Sequence, residues 1–274
     1  MTRHQLSKAG NVAVAVVLCA ILLFPLYWMV NVSLSQPRDL LKPFPNLIPI
    51  NPTWDGYALA LAQNLPSLGS SLLIALGTVI ITLLIAFPAA YGMTKLRAPG
   101  SRALMFAALL AQMIPSVVLV TALFALYKEI GLLNSYPGLM LADSTASIPF
   151  AIILLQAFMR QVPDELIEAA RLDGAGRLRI LLSIMLPLSR NVLVTVSLFA
   201  FLFAWGDFVN ANTLTTGNSI VPATLALFRF VGAEATNWNA VMASAVLASI
   251  PAAVLLVVAQ KYVASGITAG AVKD

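Results

Sequence analysis

Few side chains in this 274-residue chain could do covalent or metal chemistry. Its one histidine, His4, lies in a polar N-terminal tail, so the apolar stretches hold no imidazole to ligate a metal or relay protons. A single cysteine, Cys19, excludes an internal disulfide framework. A nucleotide-phosphate loop needs a glycine-rich turn ending in Lys followed by Ser or Thr. Lys8, Lys42, Lys95, Lys128, Lys261 and Lys273 precede Ala, Pro, Leu, Glu, Tyr and Asp, so the chain cannot bind ATP in this way and is not expected to be an enzyme by itself. What remains is two acids inside apolar runs, Asp143 and Asp207, and one charged stretch, "EAARLDGAGRLRILLSIMLP", from Glu168 to Pro187.

The elements that must position these groups are membrane helices. The chain is 60% hydrophobic and 10% charged, and its mean hydropathy of +0.91 is far above that of a water-soluble domain. Runs long enough to cross a bilayer core fall at about residues 11–34, 68–93, 103–126, 138–159, 191–210 and 240–261. The expected fold is therefore all-α, a polytopic membrane protein with six transmembrane helices. The first run follows Arg3 and Lys8 as a secretory signal would, but about 20 apolar residues exceed a signal core of roughly 7 to 15, so it reads as an uncleaved span. Pro25, Pro88, Pro115, Pro149 and Pro251 fall inside or beside spans, where each removes a backbone hydrogen bond and favours a kink. The rows Gly69, Ser70, Ser71 and Ala86, Ala89, Ala90 suit close helix contact.

Positive charge orients the spans. Arg3, Lys8, Lys95, Arg97, Arg102, Arg160, Arg171, Arg177, Arg179, Arg190, Lys261 and Lys273 fall on one side; Arg38, Lys42, Lys128 and Arg229 fall on the other. Both termini and the charged stretch are therefore expected in the cytoplasm. Topology also accounts for the net charge of +5 without a nucleic-acid partner.

In the loop 160–190, Pro163 can open a helix, with Asp164 and Glu165 at its positive dipole end. Leu166, Ala169 and Ala170 then share a face, Glu168 and Arg171 are spaced to pair on another, and Gly174 and Gly176 break the helix before the apolar run resumes. The pattern predicts helix, turn, helix running along the membrane. The alanine face fits two roles: a smooth knob for another protein, or an amphipathic helix lying on anionic headgroups.

The order Glu168, Ala169, Ala170, then Gly174, then Ile184, Leu186 and Pro187 resembles the EAA loop of permease subunits in binding-protein-dependent ABC importers. Over nearly its whole length the chain is similar to the carbohydrate-uptake branch, close to the second permease of maltose-type systems. The similarity extends through "AAYGMTKLRAPG" from Ala89, "MIPSVVLV" from Met113, "EIGLLNSYPGL" from Glu129, "AWGDFVNANTLT" from Ala204 and "SGITAGAVKD" from Ser265. Gly69 with Ser70, Ala122 and Asn191 depart from the family pattern outside the central motif.

The resemblance implies a type I ABC importer permease fold in one transmembrane domain, 1–274, with its core at about 68–262, and a multi-pass location in the bacterial cytoplasmic membrane. It implies that the loop forms a coupling helix for a separate ATPase, with Glu168, Ala169, Ala170, Asp173, Gly174, Leu186 and Pro187 as coupling residues. It implies a C-terminal tail, 263–274, that reaches the ATPase through Thr268, Gly270 and Lys273, simple disorder being the alternative. Partners would be a second homologous permease, an ATPase dimer holding ATP and Mg, an extracytoplasmic solute-binding protein, membrane lipid and a sugar-type substrate; no cofactor belongs to this chain.

Asp207 lies about sixteen residues beyond Asn191, roughly 24 Å along a helix and so near the outer interface. With Trp205, Asn210 and Asn212 it could offer aromatic and hydrogen-bonding surface to a sugar. Equally, Trp205 could anchor the interface and Asp207 be hydrated at a helix end. Asp143 is expected to be interfacial too. An ion-coupled secondary transporter is the rival reading; it would normally show ionisable residues at the midplane and related halves, and neither is legible. An intramembrane enzyme lacks its usual constellations.

Overall fold

The computed structural model describes residues 3–44, 46–234 and 237–271, with side chains from residue 11 to 260 within those limits. The described residues contain helices and turns and no strand. In chain order the helices are α1 Arg3–Leu34, α2 Pro37–Leu40, α3 Asp55–Thr94, α4 Ser101–Ala111, α5 Ser116–Ile130, α6 Tyr136–Met159, α7 Asp164–Leu172 and α8 Arg177–Ile180. A π-helical turn, Leu181–Met185, leads into α9 Leu186–Leu188, followed by α10 Arg190–Gly206, α11 Val209–Leu214, α12 Ala223–Ala233 and α13 Trp238–Ala271. All-helical structure is what a bilayer demands, because only internal hydrogen bonds can satisfy backbone groups there.

Four helices are long and apolar enough to cross a membrane, or up to six if each of two bent pairs counts as one span. The third expected span is the first of these bent pairs; the fifth, expected at 191–210, is covered by α10 to Gly206, and its bent partner Arg177–Leu188 falls in the loop expected to run along the membrane. Helices α4 and α5 meet at 103°, and the segment Arg177–Leu188 meets α10 at 81°. Pro115 explains the first break: it stands in extended conformation as the N-cap of α5 and lacks the N–H that would continue α4. Pro25, Pro88, Pro149 and Pro251 instead lie within continuous helices, as does Pro66.

Helix α3 begins at Asp55, well before the span expected from residue 68. Its 40 residues extend about 60 Å, twice a bilayer core of about 30 Å. Hydropathy marks only the part of a helix that lipid must accept, and the more polar turns around Gln63 and Asn64 carry no such mark.

The chain forms two compact units, Met1–Leu65 with Leu227–Ile250, and Pro66–Ala226 with Pro251–Asp274. In the first, Thr53 N–H bonds the Leu34 carbonyl at 2.9 Å, the hydroxyls of Ser33 and Tyr57 meet at 2.8 Å, and Asn64 Nδ2 donates to Ser244 Oγ at 2.9 Å. Phe230, Ala240 and Val241 pack with Leu59. The apolar surface of α1 from Val12 to Leu26 is exposed.

The second unit holds the charged loop. Ala86 and Ala90 of α3 are fully buried and, with Phe87 and Met93, join Ala151, Ile152, Leu155 and Met159 of α6 and Val192 and Val196 of α10 in one apolar cluster. Small side chains let these helices approach closely. Between α3 and α6 the Thr82 and Ser147 hydroxyls bond at 2.8 Å, so each satisfies the other inside the bilayer. Ser71 Oγ accepts the Ala223 N–H at 2.7 Å, and Ser70 meets Tyr136 at 3.0 Å.

Helix α6 starts on Ser135, whose Oγ accepts the Gly138 N–H at 3.1 Å. A Cβ on Gly138 would lie 2.3 Å from the Leu132 carbonyl oxygen, a backbone atom that cannot rotate aside. We expect Gly138→Ala to destabilise the chain by about 1 to 3 kcal/mol through overpacking, read as a lowered melting temperature in detergent, with Gly217→Ala, whose Cβ would meet an ordinary contact at 3.7 Å, as the tolerated control.

Candidate functional site

The loop 160–190 is built on α7. Pro163 is its N-cap rather than a residue of its first turn, and Asp164 and Glu165 follow in that turn, where the dipole favours them. Ile167 and Ala170, at 3% and 8% exposure, turn inward with Val162 and join the cluster formed by α3, α6 and α10. Ile180 and Met185 do the same from the second half of the loop. At about 25 cal/mol per Å² of apolar surface, a buried isoleucine or methionine contributes roughly 1.5 to 3 kcal/mol, so the underside of the loop is held firmly to the spans.

This placement corrects the expected alanine face. Ala170 is buried, while Ala169 is exposed. The outward stripe is instead Leu166, Ala169 and Leu172, three residues apart, with Leu166 45% and Leu172 90% exposed. Glu165, Glu168 and Asp173 flank it, also exposed. Leu172 is legible as part of that stripe by its i, i+3 spacing from Ala169, in the last helical turn before the break at Gly174.

Gly174 has φ of +80° and open space where a Cβ would stand, so the left-handed backbone, and no close neighbour, requires glycine there. It closes a Schellman motif: Gly174 N–H donates to the Arg171 carbonyl at 3.0 Å and Ala175 N–H to the Ala170 carbonyl at 2.9 Å. Further on, the Leu186 N–H reaches back to the Leu181 carbonyl in the π-helical turn. That wider register precedes Pro187, which has no N–H to give. Leu186 and Pro187 are exposed and lie just before the 81° bend.

Glu168 and Arg171 do not form the expected ion pair. The acid that is paired is Asp164: Lys95 Nζ lies 2.6 Å from its Oδ1 and Arg97 Nη2 lies 3.6 Å from its Oδ2. Lys95 also donates to the Val162 carbonyl. Both cations come from the turn after α3, where charge pattern alone marks them only as topological charge. The Lys95 hydrogen bond, then the Lys95 charge, then Arg97, hold the Asp164 carboxyl below the ordinary carboxylate range.

The two acids within the apolar runs are held by hydrogen bonds from α11. Asp143 sits about two turns into α6 and its side chain is buried within the protein, at 6% exposure. Its Oδ1 accepts from Asn210 Nδ2 at 2.8 Å. Asp207 terminates α10 in extended conformation, and its Oδ2 accepts the Ala211 N–H at 3.0 Å, tying α10 to α11. Asp143, Asp207 and Asn210 border one cavity of about 150 Å³ with Gln112 and Ser116 at the α4–α5 break. Trp205 is not there; it is buried and stacks on Phe201 at 5.5 Å. Asn212 is exposed on α11. Thr268 and Gly270 lie on the backbone of α13, and Lys273, together with all side chains beyond residue 260, lies outside the described residues. Among the described residues no group of acids, histidines and cysteines could hold a metal ion.

A permease-like loop seated on broken spans is matched by sequence. The family model for the binding-protein-dependent transport system inner membrane component aligns with residues 79–269. The chain belongs to this family. The permease is 36% identical over 255 residues to the trehalose transport system permease protein SugB of Mycobacterium tuberculosis, covering 92% of each chain. It is 33% identical to the trehalose/maltose transport system permease protein MalG of Thermococcus litoralis, covering 100% of this chain and 99% of that one. A bacterial ABC transporter involved in the import of the acidic polysaccharide alginate contains a chain that superposes with a TM-score of 0.83 at 23% identity, over 96% of the permease and 98% of that chain. The permease has the type I ABC importer fold. Membership sets it among binding-protein-dependent systems rather than ion-coupled carriers, and makes it an inner-membrane transport subunit rather than an enzyme.

Because the native carboxyl of Asp164 titrates below its unfolded value, its contribution is present above the ordinary carboxylate range and is lost as pH falls through the lower native value. We expect proteolysis of the loop to rise on acidification only below the ordinary range in the parent protein. In Lys95→Met the loop should already be cut faster at neutral pH and the acid-dependent rise should shrink, since most of the shift that produces it is gone; limited proteolysis across a pH series checks both.

Proposed function

We propose that this permease is the transmembrane subunit of an ATP-driven importer for a sugar or sugar derivative, working with a second similar permease, two ATPase subunits and an external solute-binding protein. ATP and Mg belong to the ATPase subunits. Relatives named for trehalose and for trehalose/maltose transport align with nearly its whole length, which supports a glycoside cargo. The observation that carries the mechanism is the two-sided α7: Ile167 and Ala170 are locked into the span cluster while Leu166, Ala169 and Leu172 face outward. When the ATPase pair closes, a push on the outward stripe reaches α3, α6 and α10 through the buried side. Glu168 and Asp173 rim the contact, Gly174 fixes the turn behind it, and Leu186 and Pro187 lead the motion into α10.

On the substrate path, the cavity at the α4–α5 break offers Gln112, Ser116, Asp207 and Asn210 to passing hydroxyl groups. Trp205 packs with Phe201 and Ala204 away from this lining, and Asn212 is exposed on α11. The tail through Thr268, Gly270 and Lys273 is a second approach to the ATPase.

Two experiments test this reading. In the reconstituted importer, Ala169→Arg puts a long charged side chain at the centre of the stripe. Loss of a well-packed contact of about 2 to 4 kcal/mol should lower transport and substrate-stimulated ATP hydrolysis at least tenfold, with the melting temperature unchanged. Parent-level transport would refute the docking face, and Leu172→Asp should repeat the loss. For orientation, the exposed free Cys19 is changed to serine and single cysteines are placed at Leu41 or Leu178, which are 82% and 67% exposed. An impermeant maleimide added to spheroplasts should label Leu41→Cys directly and Leu178→Cys only after permeabilisation; the reverse order would overturn the cytoplasmic assignment of the loop.

A further inference from the structure

A separate feature lies beside the coupling loop. The turn after α3, the start of α4 and the end of α6 enclose a groove of about 700 Å³. Three arginines line it, Arg97, Arg102 and Arg160, and no acid does. One wall is apolar: Met105, Phe106 and Leu109 of α4, with Phe106 63% and Leu109 48% exposed. At its base Gln156 is only 4% exposed, and its Oε1 is buried without a hydrogen-bond partner. Arg97 adopts φ of +47°, a left-handed conformation unfavourable for a residue with a Cβ. Strain of that kind persists where the surroundings hold a side chain in a required place.

A charged mouth beside an exposed apolar helix face is amphiphilic in a definite sense. A small soluble anion would use the arginines and leave Phe106 and Leu109 against water or lipid. A neutral lipid would cover the apolar wall and leave three guanidinium groups without a counter-charge. An anionic phospholipid satisfies both, with its phosphate among the arginines and an acyl chain along α4. We propose that this groove binds the headgroup of an anionic phospholipid of the cytoplasmic leaflet, an assignment that rests on the orientation given above.

The position carries a consequence. Arg97 faces the groove and also stands 3.6 Å from Asp164 in the first turn of α7. A phosphate in the groove competes with Asp164 for that guanidinium and leaves Lys95, at 2.6 Å, as the remaining tie. Lipid composition would thus act on the anchoring of the coupling helix through one shared arginine.

The test uses the full importer in nanodiscs of phosphatidylcholine doped with photoactivatable phosphatidylglycerol, with labelled peptides mapped by mass spectrometry. The expected result is saturable labelling of the segment 101–110, displaced by unlabelled phosphatidylglycerol and by neither phosphatidylcholine nor millimolar glycerol phosphate. Arg102→Gln with Arg160→Gln should reduce it roughly 30-fold, at the energy usual for two basic residues near an anionic surface, and the paired Arg→Lys changes should retain most of it.

Labelling spread evenly over all basic loops, equal labelling by a phosphatidylcholine probe, or displacement by glycerol phosphate would overturn the proposal. So would occupation of the groove by the partner permease, seen as cross-links from Phe106→Cys to that subunit. The competition in the parent protein decides the matter even if the double variant fails to fold. A labelled groove with reversed cysteine accessibility would overturn the orientation and leave the lipid site standing in the opposite leaflet.

Discussion

The rest of the structure depends on one burial: Ile167, Ala170, Ile180 and Met185 of the loop share an apolar cluster with α3, α6 and α10. A surface loop carrying five arginines and four acids between residues 160 and 190 would ordinarily be the most mobile part of a membrane protein. Here its underside is core. Force applied to its exposed side therefore cannot be absorbed by the loop alone, because moving α7 without moving the spans would expose side chains that together are worth several kcal/mol. A close-packed interior transmits displacement rather than damping it.

Local chemistry keeps that body rigid at both ends of α7. At the start, Lys95 joins Asp164 and the Val162 carbonyl, so one cation fixes a side chain and the backbone just before it. At the end, the Schellman closure at Gly174 satisfies carbonyls that would otherwise be left open and turns the chain back toward the cluster through Ala175. With its acid half in solvent, the pair at Lys95 gains little from charge alone; its value is positional, since the Lys95 side chain is 4% exposed while that of Asp164 is 55% exposed.

Much of this was legible in the sequence, and the failures share a cause. Apolar length found the spans, and proline and glycine marked Pro163, Pro115 and Gly174 as ends or breaks. What periodicity could not settle was which side of an almost evenly mixed helix faces inward. Leu166, Ala169 and Ala170 looked like one face, yet Ala170 pairs with Ile167 on the inner side and Leu172 completes the outer stripe. Two faces of α7 carry similar small and apolar residues, so the choice is made by the partner surface of α3, α6 and α10, which lies far away in sequence. The partner of Asp143 was illegible for the same reason: Asn210 lies 67 residues on. Trp205, read as an interface or sugar-binding group, is stacked on Phe201 a turn earlier on the same helix.

The part of the second unit around Asp143 and Asp207 shows how a membrane protein tolerates broken helices. Non-helical backbone at membrane depth survives only where protein groups replace the missing bonds. At the end of α10 the chain leaves helical geometry at Asp207, and its carboxylate takes the Ala211 N–H while Thr224 Oγ1 donates to its carbonyl at 2.5 Å. At the α4–α5 break the polar residues Gln112 and Ser116 face the same cavity as Asp143 and Asn210. The two breaks therefore meet at one polar pocket instead of opening separately to lipid. An acid buried in a span costs too much to keep without a donor, and Asn210 is that donor for Asp143. Because Asn210 belongs to α11 and Asp143 to α6, moving α11 away from α6 would take this donor from Asp143, so the hydrogen bond ties the end of α10 and its α11 extension to the wall formed by α6.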